Sequence, residues 1–202
     1  MNNSEQNKVQ QHKARMQKLK QNVDKKIEKA QQEKGLLLVI TGNGKGKSTA
    51  GFGTVTRAIG HGLTAAVVQF IKGTWQCGER NVLEKLGVNF TVMATGFTWD
   101  TQNRAADIAA AEKAWQVGKD LLSNKNVDVV LLDEFTYMLA YKYLNLDEVL
   151  QALQNRPSHQ HVIITGRACH REIINIADTV SEVQSLKHAF DNGIKAQKGI
   201  DF

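Results

Sequence analysis

The chain has 202 residues, of which 42% are hydrophobic and 23% are charged, and its formal net charge is +6. This length suits one globular domain with a substantial core. No apolar run approaches the ~20 residues that a membrane span requires, and the N-terminus lacks the apolar centre of a secretory signal. Cys77 and Cys169 do not form a metal-type cluster. We therefore expect a cytoplasmic protein with free thiols and no membrane segment.

Residues 1–34 form a basic segment with nine lysines and arginines against four acidic residues, and with no glycine or proline. Its apolar residues fall near helical spacing, which predicts an amphipathic helix whose apolar stripe is too narrow for a core helix. Two interpretations stay open: a conditional helix that closes as a lid over a ligand, and a frayed, solvated extension. The stripe consists of Val9, Met16, Leu19, Val23, Ile27 and Ala30.

Residues 35–202 alternate predicted strands and helices. This alternation predicts an α/β catalytic domain, with a mainly parallel sheet and helices on both faces. Ligands bind such sheets beyond the carboxyl ends of the strands. Because most of the positive charge lies in the first 34 residues, the domain itself is nearly neutral, which disfavours a nucleic-acid-binding face. The strands are expected near residues 35–41, 64–71, 88–94, 127–133, 160–165 and 178–184, and the helices near residues 47–60, 77–86, 103–123, 146–154 and 170–176.

Residues 36–49 read Leu-Leu-Leu-Val-Ile-Thr-Gly-Asn-Gly-Lys-Gly-Lys-Ser-Thr, the strand–loop–helix layout of a phosphate-binding P-loop. The N–H groups of a glycine-rich turn converge on phosphate oxygens, and the following helix adds the positive end of its dipole. Lys47 is expected to reach the terminal phosphates, and Ser48 to ligate Mg²⁺ or Mn²⁺. The strict motif has glycine where this chain has Thr41. The predicted phosphate-binding residues are Thr41, Gly42, Asn43, Gly44, Lys45, Gly46, Lys47, Ser48 and Thr49.

A second apolar strand, residues 129–133, leads into two carboxylates, Asp133 and Glu134. Carboxylates at this place organise Mg²⁺ in P-loop enzymes. Arg167 follows a further strand, where it either contacts a phosphate or ribose or forms a surface salt bridge. The loop and the carboxylates together predict a nucleoside-triphosphate site.

Phe97 and Trp99 lie in a stretch rich in glycine and threonine between a predicted strand and a predicted helix. Two large aromatic residues in such a loop are not a core pattern, and exposed aromatics at this edge of a sheet favour a binding surface for a flat apolar ligand. The alternative is that both side chains cap the helix that follows.

In these motifs the chain resembles the P-loop type of ATP:corrinoid adenosyltransferase. The resemblance runs across essentially all of residues 35–202, and Thr41 in place of the first glycine agrees with it. The most specific part is Gly-Phe-Thr-Trp-Asp at residues 96–100, which other P-loop enzymes have no reason to carry. The remaining resembling segments are residues 41–49, 68–73, 78–80, 132–134, 165–167 and 193–199.

The resemblance implies that a Co(I) corrinoid attacks the 5′-carbon of ATP, so that the adenosyl group moves to cobalt and triphosphate leaves, in adenosylcobalamin biosynthesis and corrinoid salvage. It also implies a RecA-like sheet, a homodimer, Mg²⁺, a reduced flavoprotein as electron donor, and an N-terminal helix that covers the corrinoid. Phe97 and Trp99 would press on the lower corrin face and displace its axial donor. Co(I) needs no general base. Lys47 and Glu134 would therefore stabilise the triphosphate leaving group, Lys47 by its charge and Glu134 by organising Mg²⁺.

The sequence has features in common with three other functional classes. A P-loop ATPase acting on nucleic acid would show strong salt dependence, but the near-neutral domain argues against it. A small-molecule kinase would need a base for an acceptor hydroxyl. A guanine-nucleotide switch would carry Asn-Lys-x-Asp after a strand, and residues 124–128 do not match that pattern.

Overall fold

The computed structural model describes residues 3–71, 77–93 and 103–201. In that part of the chain, six parallel strands form one sheet in the order β3-β2-β4-β5-β1-β6. Each strand lies within or close to a predicted span, and the predicted α/β class is confirmed. The strands are β1 (Leu37–Thr41), β2 (Ala65–Gln69), β3 (Asn89–Val92), β4 (Val129–Asp133), β5 (His161–Thr165) and β6 (Thr179–Glu182).

Seven α-helices accompany the strands within the described residues. The helix α5 was not predicted, because its five residues follow β4 almost directly and have no capping side chain. The helices are α1 (Asn3–Lys29), α2 (Lys47–Gly60), α3 (Gly78–Leu83), α4 (Arg104–Ser123), α5 (Thr136–Ala140), α6 (Leu146–Gln154) and α7 (Arg171–Ile176). Short 3₁₀ turns occupy Glu84–Leu86 and Phe190–Asn192.

The helix α1 belongs to a unit of its own, since the contacts of the chain divide it into residues 1–33 and 34–202. Its predicted apolar stripe is exposed: Val9 is 62% exposed and Ile27 is 63% exposed. The helix therefore presents apolar side chains without burying them. Among the described residues, none of the helices has the length and apolar character needed to cross a membrane.

The central strands of the sheet are buried on both faces. All five residues of β4 are buried, and successive residues serve opposite faces: Leu131 packs with Phe52 of α2, whereas Leu132 packs with Trp115 of α4. A strand covered on both sides reads as a continuous apolar run, which is why β4 shows no polar alternation in the sequence.

Strand register brings three chain segments to the carboxyl edge of the sheet. In β4 and β5, Leu132 is level with Ile164, and in β5 and β1, Thr165 is level with Ile40. The loop after β1, the residues after β4 and the residues after β5 are therefore neighbours. These are the segments that hold the predicted site.

Gln160 anchors the opposite, amino edge. Its buried amide Nε2 donates to the carbonyl oxygens of Leu121, Asn124 and Val127 at 3.0, 3.2 and 2.9 Å. This side chain ties the end of α4 to the beginning of β5. Nearby, Arg156 donates to the carbonyl oxygens of Leu153, Gln160 and Gly35.

The stretch 94–102 is flanked by anchored residues. On one side, the Met93 N–H donates to the Gln69 carbonyl at 2.8 Å. On the other side, Asn103 caps α4 by accepting from the Ala106 N–H at 3.1 Å. The next residue, Arg104, lies over the Tyr143 ring at 5.2 Å from its centroid.

Candidate functional site

The loop between β1 and α2 turns tightly because its glycines take conformations that other residues avoid. Gly42 and Gly46 have φ of 102° and 111°, and a left-handed φ strains any side-chain-bearing residue. Gly44 lies against the chain that follows β6: its N–H donates to the Val183 carbonyl at 2.7 Å, and a Cβ there would lie 2.5 Å from the Gln184 carbonyl oxygen. The glycines therefore fix the loop in its bent form.

Lys47 starts α2 and is only 6% exposed. Its Nζ donates to the Gly44 carbonyl at 2.6 Å, so the side chain folds back over the loop. Burial lowers the pKa of the Lys47 ammonium, and the positive charge of Arg167 lowers it further, whereas Glu134 and Asp133 raise it. Lys47 is a poorly solvated cation, and an incoming anion would interact with it strongly.

Asp133 is fully buried at the end of β4. Its Oδ1 accepts from the Thr165 hydroxyl at 2.7 Å, and its Oδ2 accepts from the Gln69 amide at 3.0 Å. The carboxylate thus connects the ends of β2, β4 and β5 beneath the loop.

Glu134 follows with a positive φ of 56°. Its N–H donates to the Thr165 hydroxyl at 2.9 Å, which fixes this unusual backbone conformation. The carboxylate of Glu134, unlike that of Asp133, lines an open cavity at the carboxyl edge.

Gly166 and Thr136 position the residues after β5. The Thr136 hydroxyl donates to the Arg167 carbonyl at 2.6 Å. Gly166 has φ 137°, and a Cβ at this position would lie 2.1 Å from the Thr136 hydroxyl oxygen. Only glycine leaves room for this contact, which sets the place from which Arg167 reaches the cavity.

The cavity has a volume of about 270 Å³ and a mainly polar lining. It brings together most of the predicted phosphate-binding residues with both Glu134 and Arg167. Thr41 ends β1 and Gly42 follows it, and neither belongs to the lining. The lining residues are Asn43, Gly44, Lys45, Gly46, Lys47, Ser48, Thr49, Glu79, Glu134, Arg167, His188 and Asp201.

Three lining residues were missed by the sequence analysis: Glu79, His188 and Asp201. Glu79 lies in the first turn of α3, and the other two come from the segment after β6. Glu79 lies within a segment that resembles the family and Asp201 lies shortly after another, but no spacing rule relates any of the three residues to the loop. Phe97 and Trp99, together with residues 72–75, lie outside the described residues.

Two further groups near the site have shifted pKa values. Burial raises the pKa of the Cys169 thiol to about 11, which keeps it protonated and a poor nucleophile at neutral pH. Burial also raises the pKa of Tyr137, and the charge of Glu134 adds to this. Both groups are neutral at physiological pH.

The donor set fits a magnesium ion that is held partly by substrate. Ser48 and Glu134 offer a hydroxyl and a carboxylate oxygen in the cavity, and hard oxygen ligands suit Mg²⁺. Among residues 3–71, 77–93 and 103–201, no group of three or more His, Cys, Asp or Glu could hold a metal alone. Mg²⁺ bound through one or two protein oxygens and substrate phosphates needs no such group.

The parallel sheet with its helices is an α/β fold. With the glycine-rich loop between β1 and α2 and the carboxylates after β4, it is consistent with a P-loop NTPase-like architecture.

Comparison with known proteins gives a narrower class. A family model described as ATP:corrinoid adenosyltransferase BtuR/CobO/CobP matches residues 33–202. A corrinoid adenosyltransferase of Escherichia coli (strain K12) is 62% identical over 188 residues, which cover 93% of this chain and 96% of the relative. Corrinoid adenosyltransferase CobA of Salmonella typhimurium (strain LT2) shows the same identity and coverage. A corrinoid adenosyltransferase of Pseudomonas aeruginosa is 50% identical over 197 residues, 96% of this chain and 97% of the relative.

The chain belongs to the ATP:corrinoid adenosyltransferase family. It is therefore a transferase of cobalamin biosynthesis that moves an adenosyl group from ATP to a corrinoid. The family and the activity expected from the sequence are confirmed, and the comparisons give no support to a nucleic-acid-dependent ATPase.

Proposed function

We propose that the cavity at the carboxyl edge binds the triphosphate of ATP while the adenosyl group is transferred to the corrinoid cobalt. The observation that carries this proposal is the convergence of residues 43–49, Glu134 and Arg167 on one open polar cavity. Lys47 and Arg167 supply positive charge to the phosphates. Ser48 and Glu134 would hold Mg²⁺ or Mn²⁺, and Asp133 acts through the Thr165 hydroxyl and the Gln69 amide.

The chemistry is a displacement at carbon. A lone pair of Co(I) forms the cobalt–carbon bond at the 5′-carbon of ATP, and the carbon–oxygen bond breaks with its electron pair on triphosphate. Charge develops on the departing oxygen, and Lys47 stabilises it from a poorly solvated position. No proton leaves the nucleophile, so Glu134 need not act as a base. A bound Mg²⁺ would supply further neutralisation of the phosphate charge.

The direction of ATP in the loop is part of this proposal. In phosphoryl transfer the γ-phosphate is the reacting group, but here the reacting atom is at the ribose end. The loop therefore need not hold the triphosphate in the direction that kinases use. Exclusion of water is required as well, because hydrolysis of ATP is the competing reaction.

Phe97 and Trp99 are proposed to contact the lower corrin face and to displace the axial donor, which makes Co(II) easier to reduce. Trp99→Ala should lower adenosylation coupled to reduction of Co(II) by at least about tenfold while MgATP affinity stays within twofold. Calorimetric titration with MgATP measures the affinity, and an assay that starts from the Co(II) corrinoid and a reductant measures the coupled adenosylation. A collapse of nucleotide affinity would instead assign Trp99 to the nucleotide.

Residues 1–34 are proposed to act as a lid whose apolar stripe covers the corrinoid. The stripe is exposed in α1, with Leu19 at 55% and Val23 at 46%. Deletion of residues 1–30 should raise the KM for corrinoid by about tenfold or more and leave the affinity for ATP unchanged. An unaltered corrinoid KM would leave the segment without this role.

The homodimer and the reduced flavoprotein donor are proposals that rest on the family resemblance alone, and the cytoplasmic location is a proposal that rests on the sequence pattern. Analytical ultracentrifugation measures the first directly. The second is tested by the rate of adenosylation with a reduced flavoprotein in place of a chemical reductant.

A direct assay tests the whole proposal. Purified protein, MgATP and a chemically reduced corrinoid should give the light-sensitive absorbance of a new cobalt–carbon bond, with one inorganic triphosphate released per bond formed. Release of ADP and orthophosphate, or of AMP and pyrophosphate, without an alkylated corrinoid would overturn it.

A further inference from the structure

The segment that follows β6 returns to the phosphate-binding loop and contacts it through its backbone and through a side chain. The first contact is between backbones, where the Gly44 N–H donates to the Val183 carbonyl at 2.7 Å. The second is an ion pair between Lys45 Nζ and Asp201 Oδ1 at 2.5 Å. Asp201 therefore places a carboxylate directly on a lysine of the loop.

Asp201 is held in this position by its own segment. Its Oδ2 accepts from the Gln197 N–H at 2.7 Å, so each carboxylate oxygen has a partner. The hydrogen bond from Gln197, followed by that from Lys45, lowers the pKa of Asp201. The carboxylate is thus an anion at neutral pH, and it belongs to the lining of the cavity.

The two lysines of the loop are in different situations. Lys47 is buried and donates to a loop carbonyl. Breaking this hydrogen bond does not separate two opposite charges. The Lys45 side chain is 46% exposed and is already paired with a carboxylate. A phosphate that binds Lys45 must displace Asp201 or share the lysine with it, and in either case the carboxylate repels the phosphate.

The ion pair between Lys45 and Asp201 affects how the triphosphate product is released. Triphosphate carries more negative charge once it is cut from the adenosyl group, and the loop that neutralises it in the transition state also retains it afterwards. A carboxylate that competes for one of the loop cations weakens binding of the free polyanion. The other cation, Lys47, is hydrogen-bonded to a loop carbonyl and not held by Asp201, so the transition state keeps its main stabiliser.

We propose that Asp201 is an internal competitor of the phosphates for Lys45 and that it promotes release of triphosphate. This inference rests on the proposed function, since it requires the cavity to bind the triphosphate. Asp201 acts through Lys45 and is in this sense a positioning residue.

The test is the affinity of the full chain for tripolyphosphate, and for MgATP, by calorimetric titration at low salt. Asp201→Asn should bind tripolyphosphate about three- to tenfold more tightly, and the difference should shrink in 0.5 M salt, where the Debye length is only a few ångströms. The inhibition constant of tripolyphosphate in the adenosylation assay should fall by the same factor. Asp191→Asn, an exposed acid in the same segment, is the matched control and should bind like the unmodified chain.

A double-mutant comparison isolates the ion pair. In a Lys45→Met background, Asp201→Asn should change the affinity for tripolyphosphate by less than twofold. An equal gain in both backgrounds would show a general field effect and overturn the role of Lys45. Unchanged or weaker binding by Asp201→Asn, with an unaltered melting temperature, would overturn the role of Asp201; a lowered melting temperature with weaker binding would make it a structural anchor.

The Lys47→Ala variant distinguishes a failure of the Asp201 proposal from a failure of the proposed phosphate site. If the unmodified chain binds tripolyphosphate and Lys47→Ala does not, the cavity is the phosphate site, whatever Asp201 does. If Lys47→Ala binds as the unmodified chain does, the proposed site itself is wrong.

Discussion

The two edges of the sheet both contain buried polar side chains, but they are used differently. At the amino edge, Gln160 is 0% exposed and its amide Nε2 donates to three carbonyls. At the carboxyl edge, Lys47 is 6% exposed and makes one bond to a loop carbonyl beside an open cavity. The difference teaches that burial of a polar group does not by itself mark a binding site. A site needs polar groups that face a space large enough for a ligand.

The largest effect should come from removing the buried cation. Lys47→Ala should lower kcat/KM for adenosylation by at least about 100-fold, because the departing triphosphate loses its most desolvated partner. Steady-state kinetics with saturating reduced corrinoid measure this. Lys85→Ala, at an exposed position in the Glu84–Leu86 turn, is the control. A loss below tenfold would mean that catalysis at the carboxyl edge does not depend on the buried charge of Lys47.

A smaller effect is expected from reshaping the loop. In Gly44→Ala the added Cβ would lie 2.5 Å from the Gln184 carbonyl oxygen, so the loop must move. We expect MgATP affinity to fall by about tenfold, as titration calorimetry would show. Gly53→Ala in α2 adds a Cβ into open space and should leave affinity unchanged while gaining up to about 1 kcal/mol in stability. Equal affinities for the two variants would contradict a rigid loop.

The smallest effect on catalysis should come from the amino edge. Gln160→Leu leaves three carbonyls without their buried donor, and the free energy of unfolding should fall by about 2–4 kcal/mol. Chemical denaturation measures this loss. The kcat/KM of the folded enzyme should change by less than about twofold. Gln154→Leu, a substitution at an exposed position in α6, is the control. A large loss of kcat/KM in Gln160→Leu would show that the two edges of the sheet do not differ in their role in catalysis.

Much of the fold could be predicted, because apolar runs of strand length alternate with helical segments and loop glycines. The order of the strands could not, since nothing in the sequence states that β4, β5 and β1 are neighbours. That order brings Glu134 and Arg167 to the loop after β1. The helix α5 was missed because it is short and lacks a capping side chain.

The candidate site was predicted where a local motif encodes it. The loop residues have fixed spacings that follow from the geometry of a bound phosphate. The carboxylate is recognisable because it directly follows a buried strand. His188 and Asp201 carry no such pattern, because their place depends on the path of the chain after β6. The Asp133 carboxylate was predicted as a metal ligand; its hydrogen bonds to Thr165 and Gln69 favour an indirect role, and direct ligation stays a prediction.

The anchored flanks of residues 94–102 have a consequence for the tolerance of the fold to insertions. Met93 is hydrogen-bonded to β2, and the beginning of α4 is fixed by Asn103 and by Arg104 against Tyr143. Lengthening a chain between two fixed points raises its closure free energy only with the logarithm of its length, by about 0.6 kcal/mol for a doubling. Insertions between these anchors should therefore leave the folding of the sheet almost unaffected.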